Sequence, residues 1–154
     1  MTTTDNTLTI TKSGYTSVSV LLEGPNAVKH SFDKMILPID VPKQNTPYTI
    51  IIDLKKLRET ITFTGFLLDE TESMWTKHHN LRTILQSAGD MYLKWDQNDP
   101  DQWSGGAVGS GTWQGYQGNL MKCDINEVPY GLGDSEDTMA MQITIQFIVG
   151  RTKG

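Results

Sequence analysis

Between residues 48 and 96 the chain switches from a two-residue periodicity to a helical one and back, with few residues left over as connections. Residues 48–54 (YTIIIDL) and 59–68 (ETITFTGFLL) are rich in β-branched and aromatic side chains, which suit pleated strands. Only the charged KKLR of residues 55–58 separates them, so the pair is expected to fold as a hairpin about that turn. In residues 71–88, Met74, His78, Leu81, Ile84, Leu85 and Ala88 recur at three- and four-residue spacings and define one helical face. Gly89 is placed to end that helix in the left-handed conformation. Alternation resumes in residues 90–96 (DMYLKWD), where Met91, Leu93 and Trp95 share a side. This order implies a small antiparallel sheet with one helix packed against it.

The flanking sequence extends the sheet. Residues 7–11 (TLTIT) and 16–22 (TSVSVLL) alternate about a turn at 12–14, and Val18, Val20 and Leu22 share a face. Residues 28–37 read as a weaker strand, interrupted by Asp33 and Lys34. Pro38, Pro42 and Pro47 predict an irregular connector, because proline removes a ladder donor and restricts its predecessor. Residues 97–118 are polar and glycine-rich, and long for an idle connection, which makes them a candidate arm or loop. Residues 119–125 and 137–150 return to strand patterning. In the latter, Met139, Met141, Ile143, Ile145, Phe147 and Val149 alternate with polar residues. The sum is one domain over residues 1–154 and an α+β fold, mainly antiparallel β. It is expected to be a β-sandwich or split barrel of about seven or eight strands flanked by the 71–88 helix.

Composition narrows the function classes. A chain of 154 residues, 37% hydrophobic and 20% charged, can bury a core of its own, and no window approaches the ~18 apolar residues of a membrane span. The N-terminus has no basic and apolar regions of a secretory signal, so folding in the producer's cytoplasm is expected. The single cysteine, Cys123, excludes an internal disulfide and a cysteine-based zinc cage. It reads as a buried thiol within a strand. A net charge of −5 opposes a direct grip on nucleic acid.

Catalytic and metal patterns fail on inspection. His78 and His79 are adjacent on a helix and point ~100° apart, so they do not clasp one metal, and a packed histidine is the reading for His78. The acidic run Asp96, Asn98, Asp99 and Asp101 has Pro100 where a calcium loop needs an oxygen. Gly109 and Gly111 lack the third glycine of a dinucleotide loop, and no serine sits in a nucleophile elbow. Neither an enzyme nor a cofactor is expected. The aromatic residues Trp103, Trp113, Tyr116 and Tyr130 lie among Gly, Asn, Gln and Asp. Such rings suit a subunit interface first and sugar stacking second. From Asp124 to Ile148 there is no Lys or Arg, whereas Glu127, Asp134, Glu136 and Asp137 are acidic.

The succession IDLKKLRETITFTGFLLDE, WTKHHNLRTIL, DMYLKWD, YQGNL and MQITIQFIVG resembles the small tail-tube and baseplate (tail-tip) proteins of long-tailed viruses and related injection machines. The resemblance spans residues 48–150 and rests on element order. It implies a virion structural protein made in the host cytoplasm and assembled into a ring, usually of about six copies, around a channel for DNA. Its partners would be itself and other tail or baseplate proteins, with DNA only as passing cargo and no membrane contact. On that reading Trp103, Trp113, Tyr116 and Tyr130 are interface candidates, and Glu127, Asp134, Glu136 and Asp137 face the lumen. The competing expectation is a carbohydrate-binding β-sandwich for receptor recognition, using Trp103, Trp113 and Tyr116.

Overall fold

The computed structural model describes residues 7–22, 24, 27–42, 48–69, 72–105, 109–127 and 140–150, with backbone alone at 48 and 54–56. In chain order the elements are β1 (Thr7–Thr11), β2 (Val18–Leu22), β3 (Val28–Val41), β4 (Tyr48–Leu68), α1 (Met74–Gln86), β5 (Met91–Lys94), β6 (Tyr116–Asn126) and β7 (Ala140–Val149). All the strand pairings are antiparallel, in the order β2-β1-β5-β6-β7-β4-β3. A further pairing joins Leu21 to Phe66 and Leu22 to Gly65, so β2 also meets β4 and six of the strands close into a barrel. The fold is therefore α+β and mainly antiparallel, as the alternation implies, in its split-barrel form.

Closure depends on a residue without a side chain. A Cβ at Gly65 would sit 2.5 Å from Val20 Cγ1 and collide with the Leu21 carbonyl oxygen. Only glycine lets β2 and β4 approach this closely.

Alternation fills the interior. Leu8, Ile10, Val18, Val20, Ile61, Phe63, Leu67, Leu93, Met141, Ile143, Ile145 and Phe147 are fully buried, each separated from the next inward residue of its strand by an outward one. The helix adds Met74, Leu81 and Ile84 to this core. Its start is set by Ser73, whose Oγ accepts the Thr76 amide at 3.3 Å, and by Asp69, whose Oδ1 accepts the Met74 amide at 3.1 Å. It is thus shorter than the expected 71–88. Gly89 does take a left-handed φ of +102°, but it does not end the helix: the C-cap is Ser87, extended, whose amide donates to the Ile84 carbonyl. Lys77 is buried, because its ammonium donates to the Leu68 carbonyl at 3.0 Å while its stem packs along the barrel. At the other end Lys12 donates to Ser87 Oγ at 2.5 Å and to the Ala88 carbonyl, placing a cation on the helix C-terminus. Among the described residues no helix is long and apolar enough to cross a membrane.

Two expectations are corrected. Residues 48–54 and 59–68 are not the two arms of a hairpin. They are one strand, the 21-residue β4, and KKLR lies within it. The tetrapeptide contains no Gly, Pro, Asn or Asp to favour a reversal; Lys56, Leu57 and Arg58 pair with Met35, Lys34 and Asp33, and only Leu54 and Lys55 bulge out where the β3 register shifts between Met35 and Ile36. The true hairpin partner is β3, which pairs with β4 from Val28↔Phe63 to Val41↔Tyr48. Pro38 does not end β3. The strand runs on to Val41, with Pro38 opposite Ile51, since β3 is the terminal strand of the sheet and an edge tolerates proline.

Candidate functional site

β7 accompanies β4 only as far as Ile148↔Thr60, and β3 has no strand on its outer side among the described residues. Before position 60 of β4 the β3–β4 ladder therefore leaves the barrel as a two-stranded arm, roughly 30–35 Å long at the usual strand rise. Nine of the thirteen large exposed hydrophobic residues among those described lie on it, so this is where the apolar surface concentrates. They are Phe32, Met35, Ile36, Leu37, Ile39, Ile50, Ile51, Ile52 and Leu57.

The register sorts the arm into two faces. Met35, Leu37, Ile39 and Val41 share one face of β3, and Ile52 and Ile50 stand opposite Leu37 and Ile39 on the same side. This face continues the outer surface of the barrel and carries no charge from 37 to 41. On the reverse, Lys34 pairs with Asp53 at 2.7 Å and the Thr49 hydroxyl donates to Asp40 at 2.9 Å, beside Ile36, Pro38 and Ile51. An isolated hairpin of this kind is marginal in water. Both of its backbone edges, residues 48–59 on β4 and 32–41 on β3, lack a neighbouring strand among the described residues.

The root of the arm is tied to the barrel rim. His30 Nδ1 lies 2.9 Å from Glu59 Oε2, and its ring contacts Trp95 and Tyr116 at centroid separations of 5.7 and 5.6 Å. Trp95 and Tyr116 stack at 5.4 Å, and the Tyr116 hydroxyl donates to Asp99 Oδ2 at 2.7 Å. Gln102, fully buried, accepts the Trp95 and Asp96 amides at 2.7 and 3.2 Å and donates to Asp99 at 3.2 Å. Burial works to raise the Asp99 carboxyl, but hydrogen bonds from Tyr116, the Asp101 amide and Gln102 outweigh it and hold the pKa below the ordinary 3.8. Burial, and then Asp99 itself, push the Tyr116 phenol upward. The acidic run thus serves to cap turns: Asp96 accepts the Asn98 amide at 2.9 Å and Asp99 that of Asp101 at 3.0 Å.

The described part of 97–118 folds back on its own barrel and does not project. Pro100–Gln102 forms a 3-10 turn, Trp103 bridges Trp113, and Trp103 Nε1 donates to the Gln97 carbonyl at 2.8 Å. Trp113 lies half-buried with Lys94 Nζ 4.9 Å from its ring centre. Tyr116, expected in a loop, opens β6 and is only 8% exposed. Trp103 remains available along one side of an open cleft of about 620 Å³ at the barrel rim.

Glu127 follows β6 at the end of the barrel opposite the arm, 3.3 Å from His78 Nε2, with half of its side chain exposed. Tyr130, Asp134, Glu136 and Asp137 lie outside the described residues, so three of the four lumen candidates have no structural position to compare. Cys123 is only partly buried, and burial, helped by Asp124, pushes its thiol up to about 11. That makes it a poor nucleophile at neutral pH.

No protein-family model matches this chain, and a comparison with curated proteins gives no match either.

Sequence reasoning missed the arm. Its signal was present, in the alternation of Leu37, Ile39 and Val41 and of Ile50 and Ile52. The three prolines around it drew the reading toward an irregular connector.

Proposed function

We propose that this chain is a structural subunit of a viral tail, which joins copies of itself into a ring forming part of the tail tube or tail tip and lining a channel for DNA. The observation that carries the reading is the arm: two unlike strand edges with no neighbour among the described residues and an apolar face without charge from 37 to 41, on a hairpin too long for its own barrel to support. Pairing the β3 edge of one subunit with the 48–59 edge of the next uses both edges of every arm. Repeated about an axis, such a heterologous contact closes into a ring and leaves no edge over. A two-fold dimer would leave one edge of each arm unpaired.

In this arrangement the apolar face of Leu37, Ile39, Val41, Ile50 and Ile52 packs on a neighbouring subunit, and the mixed face with Lys34, Asp40, Asp53 and Thr49 meets water in the channel. The arms, rather than the region of Glu127, then form the channel wall. The anchoring of His30 and Glu59 at the rim presents the arm pre-ordered, which lowers the entropy cost of joining. The net charge of −5 keeps the assembly from holding passing DNA.

Mass photometry and electron micrographs test the reading. The full chain is expected as rings or stacked rings with an axial opening. A chain in which an Asn-Gly turn joins positions 31 and 60, which are Cα partners, is expected as a folded monomer. A full chain that stays monomeric at micromolar concentration, or a shortened chain that still forms rings, would overturn the proposal.

A further inference from the structure

The rim cleft has a character unlike that of the arm. It is bordered by the rings of Tyr92 and Trp103, the amides of Gln114 and Gln117, and the carboxylates of Asp101 and Glu59. Tyr92 and Gln117 are register partners on the outer face of β5 and β6, so they stand side by side. Trp103 cannot swing freely, because its indole N–H is held by the Gln97 carbonyl, and Gln102 fixes the turn beneath it through the Gly115 amide at 2.8 Å. Gln117 spends its amide N–H on Asp90 at 2.7 Å, which leaves its side-chain carbonyl as an acceptor. Gln114 and Asp101 are exposed, and their side chains make no hydrogen bond among the described residues.

From this geometry we infer that the cleft is a binding site for a neutral oligosaccharide. A pyranose ring offers an apolar C–H face and an equatorial fringe of hydroxyls. The first suits a fixed indole and phenol; the second suits carboxylates and amides, which accept and donate at paired positions. A purely apolar ligand would strand these polar groups, and a phosphate or uronate would meet Asp101 and Glu59 with like charge. The volume accommodates roughly two pyranose units in an open groove, in the range of small-molecule sites. The site is separate from the apolar face of the arm and shares only Glu59 with the 48–59 edge.

Saturation-transfer NMR on the full chain tests the inference with maltotriose, chitotriose and mannotriose as neutral probes and trigalacturonate as the anionic control. At least one neutral probe is expected to bind saturably at millimolar concentration or below, and the uronate is expected to give no transfer. Trp103→Ala should weaken binding about tenfold and Trp103→Phe about threefold or less. Asp101→Asn and Gln114→Ala, both at exposed positions, should weaken it with the far-UV circular dichroism unchanged. Trp75→Ala, on the helix, should leave it as it was. Absence of saturable binding by all three neutral probes overturns the inference, as does equal binding by the uronate or retention of full affinity in Trp103→Ala, Asp101→Asn and Gln114→Ala together. None of these outcomes bears on ring formation, which mass photometry reads separately.

Discussion

The barrel and the arm are built from the same strand, and they treat apolar residues in opposite ways. In β4, Ile61, Phe63 and Leu67 are fully buried, whereas Ile50, Ile51 and Ile52 are 43%, 62% and 40% exposed. The difference lies in neighbours, not in composition. From position 60 onward β4 has β7 on one edge, with β3 and then β2 on the other, and its inward side chains meet a closed interior. Before position 60 it has β3 alone among the described residues. A sheet of two strands has no interior, so side chains that would be core elsewhere become surface.

The comparison is most severely tested by removing one large side chain from the barrel. Phe147 is fully buried and lies opposite Leu120 and Ile61 on the neighbouring strands. Phe147→Ala should cost about 3–5 kcal/mol and lower the melting temperature by many degrees, measured by calorimetry on the form with the shortened arm so that assembly does not contribute. Little change would mean that the barrel interior is not the stabilising core.

The complementary substitution belongs to the arm. Replacing Ile39 and Ile52 together by serine removes apolar surface that solvent already reaches, so stability of the unassembled chain should change by about 0.5 kcal/mol or less. Ring formation, scored by mass photometry, should be lost. If the double substitution instead lowered the melting temperature as Phe147→Ala does, the arm would have to be counted as part of the barrel's own core.

How much of this was legible depends on the same contrast. The barrel strands could be read because burial on one side imposes alternation: Met141, Ile143, Ile145 and Phe147 announce β7, and Leu8 and Ile10 announce β1. The helix could be read from Leu81 and Ile84. The arm was legible only in pieces: residues 28–37 and 48–54 read as strands, but with no buried side the pattern is free to place Pro38, Asp33 and Lys34 within a strand and a pair of lysines within its partner, which hid their pairing with each other. Closure by Gly65 was also invisible, since nothing in ETITFTGFLL says which strand must come close. At the rim, Trp103 was identified as a candidate contact, but Tyr116 was not recognised as interior. Its partner Asp99 is seventeen residues away, and only the folded turn at Pro100–Gln102 brings the two together.

A subtler effect, without loss of assembly or of the core, concerns the junction between the two regions, where Asp99 receives Tyr116, Gln102 and the Asp101 amide. Asp99→Asn keeps the shape and removes the charge, so at neutral pH it should cost about 1 kcal/mol, the usual worth of a hydrogen bond or two. The sign with pH follows from the depressed carboxyl. The folded protein binds its proton less readily than the unfolded chain, so the stabilisation is fully present above the ordinary 3.8 and is lost as pH falls through the lower folded value. Melting temperatures of the two forms should therefore differ at pH 7 and converge in acid below 3.8. A difference that persisted unchanged through that window would mean that the substituted amide fails for reasons of shape, and that the charge on Asp99 does not hold Tyr116 and the arm root in place.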